Sequence, residues 1–477
     1  MKSIKDATIH SAKWSAIEKF SIQGIRFLLG LIMARLLSPS DFGAIAMITI
    51  FIVMAETFVD SGFGLALIRN KKNTEEEYST VFYFNLLVSI ICCIVLILGA
   101  PYIAKYFKMP ILLPVLRVLS LIVIINSLMT VPVARLTIDL NFKAIAIQSM
   151  VSSIISGLVG VTLAYMGLGV WALVWQTIIA SLVNLSFVYF YCKWMPKLIF
   201  SRNSFSNLFN YGSKLLAANI INRIYMNLTD PIIGKAFSAE ALGFYNRGTG
   251  LATYPVDSVN SVLGKILFPI MAKIQDDHEH LISIYSKYIR MLSLIIFFVC
   301  CLLAALAKPT IIILLTEKWL PSVVFLQIFI FSTMFDHLQT VNLKLLQVVG
   351  RSDLFLKVEI VKKIICFVIL ISSIHFGVIG VCVSKVITAQ VALIINTYYT
   401  GKLFNIGYIA QVRDFSKYLI CALFACAPAY ALTYVGLPSL LTLIVGSLTS
   451  VLLYWSLIQK DQTALELFSI VKSQLKK

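Results

Sequence analysis

Apolar residues run through this chain in long blocks separated by short polar connections, and the blocks set the architecture. A bilayer crossing needs about 20 mostly apolar residues. Stretches of that kind occupy residues 15–37, 42–67, 79–100, 111–132, 144–166, 168–192, 208–235, 241–268, 288–315, 321–345, 357–375, 376–399, 416–434 and 438–458. They predict an all-α polytopic membrane protein with about fourteen transmembrane helices. The seventh and eighth are the least apolar, carrying Asn219, Asn222, Arg223, Asn227, Asp230, Arg247 and Asp257. Such helices suit the wall of a polar interior better than a lipid-facing position.

Laid on itself with an offset of 200 residues, the chain matches Ala34-Arg35-Leu36-Leu37-Ser38-Pro39-Ser40-Asp41-Phe42-Gly43 with Gly234-Lys235-Ala236-Phe237-Ser238-Ala239-Glu240-Ala241-Leu242-Gly243, Ser and Gly coinciding. Further on the offset becomes 210, with Gly167-Leu168-Gly169-Val170 on Gly377-Val378-Ile379-Gly380. The repeat predicts two six-helix bundles, residues 1–200 and 201–405, followed by two more transmembrane helices and a cytoplasmic tail in 406–477. Duplicated halves of this kind imply a substrate path between them, opened alternately to the two sides. Ser40 or Asp41 is the expected N-cap of the second helix, with Asp41 a cap rather than a ligand.

Composition sharpens this reading. Only 13% of residues are charged, about half the usual share for a soluble domain. Lys+Arg outnumber Asp+Glu by 40 to 22, which in a soluble protein would raise nucleic acid as a partner. Here the charges punctuate apolar runs without forming a basic stripe, so no nucleic acid is expected. Lys and Arg concentrate at the termini and in the connections after even-numbered spans, which predicts cytoplasmic termini in a bacterial inner membrane. Nine cysteines with no CxxC argue against a zinc site. No G-x-x-x-x-G-K-[ST] loop is present, so transport would draw on an ion gradient, the membrane potential or consumption of the product.

The stretches ARLLSPSDFG (34–43), SGFGLALIRN (61–70), EEEYSTVFYFN (75–85), GLGVWALVWQ (167–176), LTDPIIGKAFSAEALGFYNRG (228–248) and TYPVDSVNSVLGKILFPIMAKIQDD (253–277) together resemble the lipopolysaccharide and exopolysaccharide flippases related to the colanic acid exporter. These belong to the multidrug/oligosaccharidyl-lipid/polysaccharide exporter superfamily. The resemblance implies twelve helices in two bundles plus two terminal helices. It also implies a polyprenyl-pyrophosphate-linked oligosaccharide as substrate, moved from the cytoplasmic to the periplasmic leaflet among membrane lipids, with a polysaccharide polymerase and glycosyltransferases as partners. The family often has Ala or Ser after the tyrosine where this chain reads Tyr245-Asn246-Arg247, which leaves the role of Arg247 open.

Such a cargo needs a cation for its phosphates and polar or aromatic groups for its sugars. Arginine suits the first task because its fork donates paired hydrogen bonds and keeps its charge when desolvated. Arg26 on the first helix is a candidate cavity cation, or a partner of Glu18 or Glu56. Arg223 is a candidate headgroup or glycan contact, or a partner of Asp230, within the stripe Asn219, Arg223, Asn227 and Asp230. Tyr225 and Tyr254 are glycan candidates because aromatic faces stack on sugars. Glu56, Asp60, Asp230 and Asp257 are candidates for coupling to Na+ or H+, and Asp336-His337 reads as a coupling pair or a satisfied structural pair. No catalytic residue and no resident cofactor or metal is expected. An ion-coupled multidrug exporter of the same fold would favour carboxylates over arginines, and a membrane glycosyltransferase or polymerase would need a larger external loop than any here.

Overall fold

The computed structural model describes residues 21–69 and 73–475. Among these residues the secondary structure is helical without strands. Ten stretches among the described residues are long and apolar enough to cross a membrane. The chain divides into two compact units, Met1–Gly243 and Phe244–Lys477.

In the first unit, α1 covers residues 21–36. It is followed by α2 (Pro39–Asp60), α3 (Phe63–Arg69), α4 (Glu75–Phe107), α5 (Leu112–Leu119), α6 (Leu121–Ser127), α7 (Thr130–Ile138), α8 (Phe142–Tyr165), α9 (Val170–Cys192), α10 (Arg202–Asn227) and α11 (Thr229–Ala236). Three predicted spans of this unit are therefore broken helices, the fourth span being divided into α5, α6 and α7. The second bends between α2 and α3, where Ser61 and Gly62 take left-handed φ of 44° and 73°. The seventh breaks at Leu228, ahead of Pro231, whose ring disfavours helix in the preceding turn. α10 is also not among the ten apolar stretches, in keeping with its polar stripe.

The turn before α2 caps itself. Ser38, rather than Ser40 or Asp41, is the N-cap, because Pro39 is preset for the first helical position. Asp41 sits at N3, where its carboxylate accepts from the Ser38 N–H at 2.9 Å while its own N–H donates to Ser38 Oγ at 3.3 Å. The matching turn before α12 (Ala239–Lys273) uses Ser238 in the same way, its Oγ accepting from Ala241 N–H at 3.0 Å. The two turns touch reciprocally: Gly43 abuts the backbone of Ala239, and Gly243 abuts the backbone of Pro39.

At the opposite end of the unit, a tight cluster fixes the segment between α9 and α10. Trp194 Nε1 and Arg135 Nη1 both donate to the Glu75 carboxylate, at 2.8 and 3.0 Å. The Arg135 guanidinium lies over the rings of Tyr78 and Trp194. The Lys197 and Ser201 N–H groups then donate to Ser79 Oγ and Thr80 Oγ1, both at 3.0 Å. Buried hydroxyls thus satisfy backbone donors that no helix can reach.

The second unit continues with α13 (His278–Ala305), α14 (Ala307–Leu315), α15 (Ser322–Thr333), α16 (Asp336–Val348), α17 (Ser352–Ser373), α18 (Gly377–Phe404), α19 (Tyr408–Leu432), α20 (Ser439–Ile458) and α21 (Gln462–Leu475). A fully buried amide pair ties four of them together. Asn342 and Gln411 bond reciprocally at 2.9 and 3.0 Å, and Asn342 Oδ1 also accepts from the hydroxyls of Tyr285 and Thr400 at 2.9 Å. Every member of the cluster has a partner, the condition under which a polar core holds helices in one register in lipid. It fastens α19 to α13, α16 and α18.

Candidate functional site

On the first helix, Arg26 and Gly30 reach a cavity of about 300 Å³ between α1, α8 and α9. α8 contributes Ser149, Ser152, Ser153 and Ser156, which recur at the three- and four-residue steps of one helix face. Facing them, α9 contributes Gln176, Thr177 and Asn184. Small serines let the helices approach, while their hydroxyls turn back on helix carbonyls or, for Ser152, cross to the Ala180 carbonyl at 2.7 Å. The lining residues include one cation and no carboxylate. The cavity therefore offers the Arg26 guanidinium and the Gln176 and Asn184 amides as donors, which suit phosphate or sugar oxygens, while the hydroxyls of Ser152, Ser153, Ser156 and Thr177 already donate to helix carbonyls. Glu18, the alternative partner of Arg26, lies outside the described residues.

Arg223 is not among the residues lining that cavity. Its guanidinium is instead within electrostatic reach of Glu56 and Asp60, four residues apart on the last turns of α2. Glu56 accepts a hydrogen bond from Asn126 Nδ2 of α6 at 2.6 Å. Asp60 accepts from the Gly64 N–H in the first turn of α3, so it caps the second half of the broken helix. Asp60 and Asn126 also line a separate cavity of about 340 Å³ beside the break. Two carboxylates, one arginine and one amide thus meet at a discontinuity in a membrane helix. Asn227 turns inward on its own helix, donating from Nδ2 to the Arg223 carbonyl at 2.9 Å. Asn219 and Tyr225 lie on the same helix, and Asp230 stands in the first turn of α11.

In the second unit, Arg247 of α12 packs its guanidinium 5.7 Å from the centre of the Trp319 ring, with Tyr254 nearby. The charge added at Tyr245-Asn246-Arg247 is thereby seated on an aromatic face. Asp257 neighbours Asp336, which also lies near Lys362 of α17. His337 does not pair with Asp336: its Nε2 meets Ser293 Oγ at 3.0 Å and its ring packs against Phe297.

Sequence reasoning passed over the serine face of α8 and the Asn126 partner of Glu56. The first had a legible signal in Ser149-Met150-Val151-Ser152-Ser153-Ile154-Ile155-Ser156, small polar residues at helical spacing in an apolar span. The second had none, because the partners lie 70 positions apart.

Residues 32–324 match the model of a family described as polysaccharide biosynthesis protein. The lipopolysaccharide biosynthesis protein WzxC of Escherichia coli is 27% identical over 403 residues, 83% of this chain and 81% of its own. The teichuronic acid biosynthesis protein TuaB of Bacillus subtilis is 25% identical over 356 residues, 74% of each chain. The succinoglycan biosynthesis transport protein ExoT of Rhizobium meliloti is 26% identical over 306 residues, 64% of this chain and 62% of its own. Among solved structures, the lipid II flippase MurJ in an inward closed conformation superposes with a TM-score of 0.76 at 13% identity, covering 94% of this chain and 99% of its own. An inward-facing multidrug resistance transporter of the MATE family gives 0.60 at 15% identity, covering 79% and 94%. The fold is shared with both.

Proposed function

The chain belongs to the family of polysaccharide biosynthesis proteins, and from that premise we propose that it is a flippase. Its cargo is a polyprenyl-pyrophosphate-linked oligosaccharide, carried from the cytoplasmic to the periplasmic leaflet by alternating access for lipopolysaccharide or exopolysaccharide synthesis. The observation that carries the reading is the Arg26 cavity, which holds a guanidinium and two side-chain amides and no carboxylate. A cationic drug would meet the Arg26 guanidinium with no carboxylate beside it, whereas phosphate and sugar oxygens can accept from the guanidinium and the side-chain amides.

On this reading the protein sits in the bacterial inner membrane with both termini cytoplasmic, its halves, residues 1–200 and 201–405, rock about the path between them, and residues 406–477 follow as an appendage. The acid pair Glu56 and Asp60 with Arg223 is the coupling group, exchanging Na+ or H+ during the cycle. A bound cation or proton on Glu56 would release Arg223 toward the anionic headgroup, and its departure would draw the arginine back. Polymerase and glycosyltransferases would consume and supply the cargo.

The test is transport in vesicles holding the purified protein. Lipid-linked oligosaccharide should become accessible at the opposite leaflet, and a cationic dye should not be accumulated under an imposed H+ or Na+ gradient. Dye accumulation without oligosaccharide flipping would establish the multidrug reading instead.

A further inference from the structure

A second polar site lies within the second unit and shares no residue with the groups assigned to cargo. α13, α19 and the start of α21 enclose a cavity of about 680 Å³, within the range of small-ligand sites. Three ion pairs frame it: Arg290 with Asp414 at 2.8 Å, Lys287 with Glu466 at 2.6 Å, and Lys417 with Asp461 at 2.6 Å. These account for all three carboxylates of the lining. The fourth cation, Arg413, makes no ion pair among the described residues, and the hydroxyls of Ser283 and Ser286 line the same space.

The site continues into an apolar track. Arg413, Lys417, Ile420 and Phe424 follow one another on α19 at steps of four, three and four residues, which places them on a single face. The two basic residues line the cavity. The two apolar ones are uncovered, Ile420 at 51% and Phe424 at 71% exposure. One stripe thus reads cation, cation, aliphatic, aromatic along the axis of a span, matching the headgroup and chain of an amphiphile in its natural orientation. Basic pockets between helices at the cytoplasmic boundary are recognised sites for anionic lipid headgroups.

We propose that this cavity binds the phosphate of an anionic diacyl phospholipid, with Arg413 as its principal ligand and the acyl chains lying along Ile420 and Phe424. Arg413 is the natural donor because the other three cations are already engaged. A lipid held here links α19 to α21 and α13 through its headgroup, so occupancy stabilises the second unit independently of any cargo.

The experiment uses the full chain, delipidated in detergent and returned to micelles containing phosphatidylglycerol or phosphatidylcholine. Lipid retained is counted by native mass spectrometry, and thermal stability is measured in parallel. Phosphatidylglycerol should be retained preferentially and should raise Tm above the phosphatidylcholine value. Arg413→Gln should weaken its retention about tenfold, the scale of one lost charge-assisted hydrogen bond, and abolish the Tm difference. Arg413→Lys should keep most of both, and Lys402→Gln, which removes a cation outside the cavity, should change neither. Equal retention of the two lipids, or an Arg413→Gln variant that behaves as the parent, would overturn the site. If glycerol phosphate in phosphatidylcholine micelles reproduces the Tm shift, the ligand is a free phosphate and the lipid assignment fails.

Discussion

The carbonyl oxygen of Ala239 lies 1.7 Å from the point that a Cβ on Gly43 would occupy, and that of Pro39 lies 1.9 Å from the equivalent point on Gly243. Each turn of the repeat therefore receives the backbone of the other at a position where only a hydrogen fits. A reciprocal contact of this form, residue 43 on 239 and 243 on 39, is self-complementary.

Gly43→Ala or Gly243→Ala must push the turns apart, because the obstructing atom is backbone and has no rotamer to yield. Either should cost about 1–3 kcal/mol, the usual penalty of overpacking. The double variant should cost less than the sum, since the first separation already makes room for the second methyl. Thermal unfolding of the three variants in one detergent checks this, and additive losses would mean that the two contacts are independent.

Glu56, Asp60 and Arg223 should behave as one electrostatic group. Arg223→Gln leaves two carboxylates facing each other without their cation, so it should destabilise the protein and slow transport. Adding Glu56→Gln should recover part of the stability by removing the repulsion. A double-mutant cycle read by thermal unfolding should give a coupling of about 0.5–3 kcal/mol; zero coupling would separate Arg223 from the acids.

The amide pair of Asn342 and Gln411 carries a sharper expectation. Asn342→Ala removes the acceptor of the buried Tyr285 hydroxyl and one partner each of Thr400 and Gln411. A loss of at least about 2 kcal/mol is expected from the groups left unpaired. Tyr285→Phe in the same background should restore stability, whereas in the parent it should cost about 1 kcal/mol.

Docking of α21 should depend on pH through Asp461. Burial pushes its carboxyl up, but the hydrogen bonds from Lys417 and Tyr418 outweigh this and hold it below the ordinary carboxylate value. A folded value below the unfolded one means that the contribution is complete at neutral pH and is lost as pH falls through the folded value, on the acidic side of the ordinary carboxylate range. Protease sensitivity of the C-terminal segment should rise over that acidic range, and Asp461→Asn should show the same sensitivity at neutral pH.

Apolar block length located nearly every helix, since a span has no alternative use for about 20 apolar residues. Among the described residues neither α10 nor α12, the weak seventh and eighth blocks, counts among the apolar stretches. What the blocks concealed was breakage: Ser61-Gly62 interrupts the second span and Leu228 the seventh, and the fourth, ninth and tenth spans are divided as well. Arg26 was legible because a charge in an apolar run is costly enough to need a reason. Its neighbours on α8 were not, since a serine in a membrane helix is cheap and draws no notice singly. Arg223 was legible as a charge, but its partners were not: the acids of α2 come to it only through packing, as Asn126 comes to Glu56.

The central claim rests on Arg26. In vesicles holding purified protein and a fluorescent lipid-linked oligosaccharide, the initial flipping rate should be compared between the parent, Arg26→Gln and Arg26→Lys at subsaturating substrate. The account predicts that Arg26→Gln flips at least about tenfold more slowly with unchanged insertion and Tm, and that Arg26→Lys recovers part of the rate because charge returns without the bidentate fork. Equal rates for the parent and Arg26→Gln would contradict it, and would remove the α1, α8 and α9 cavity from the path of the substrate.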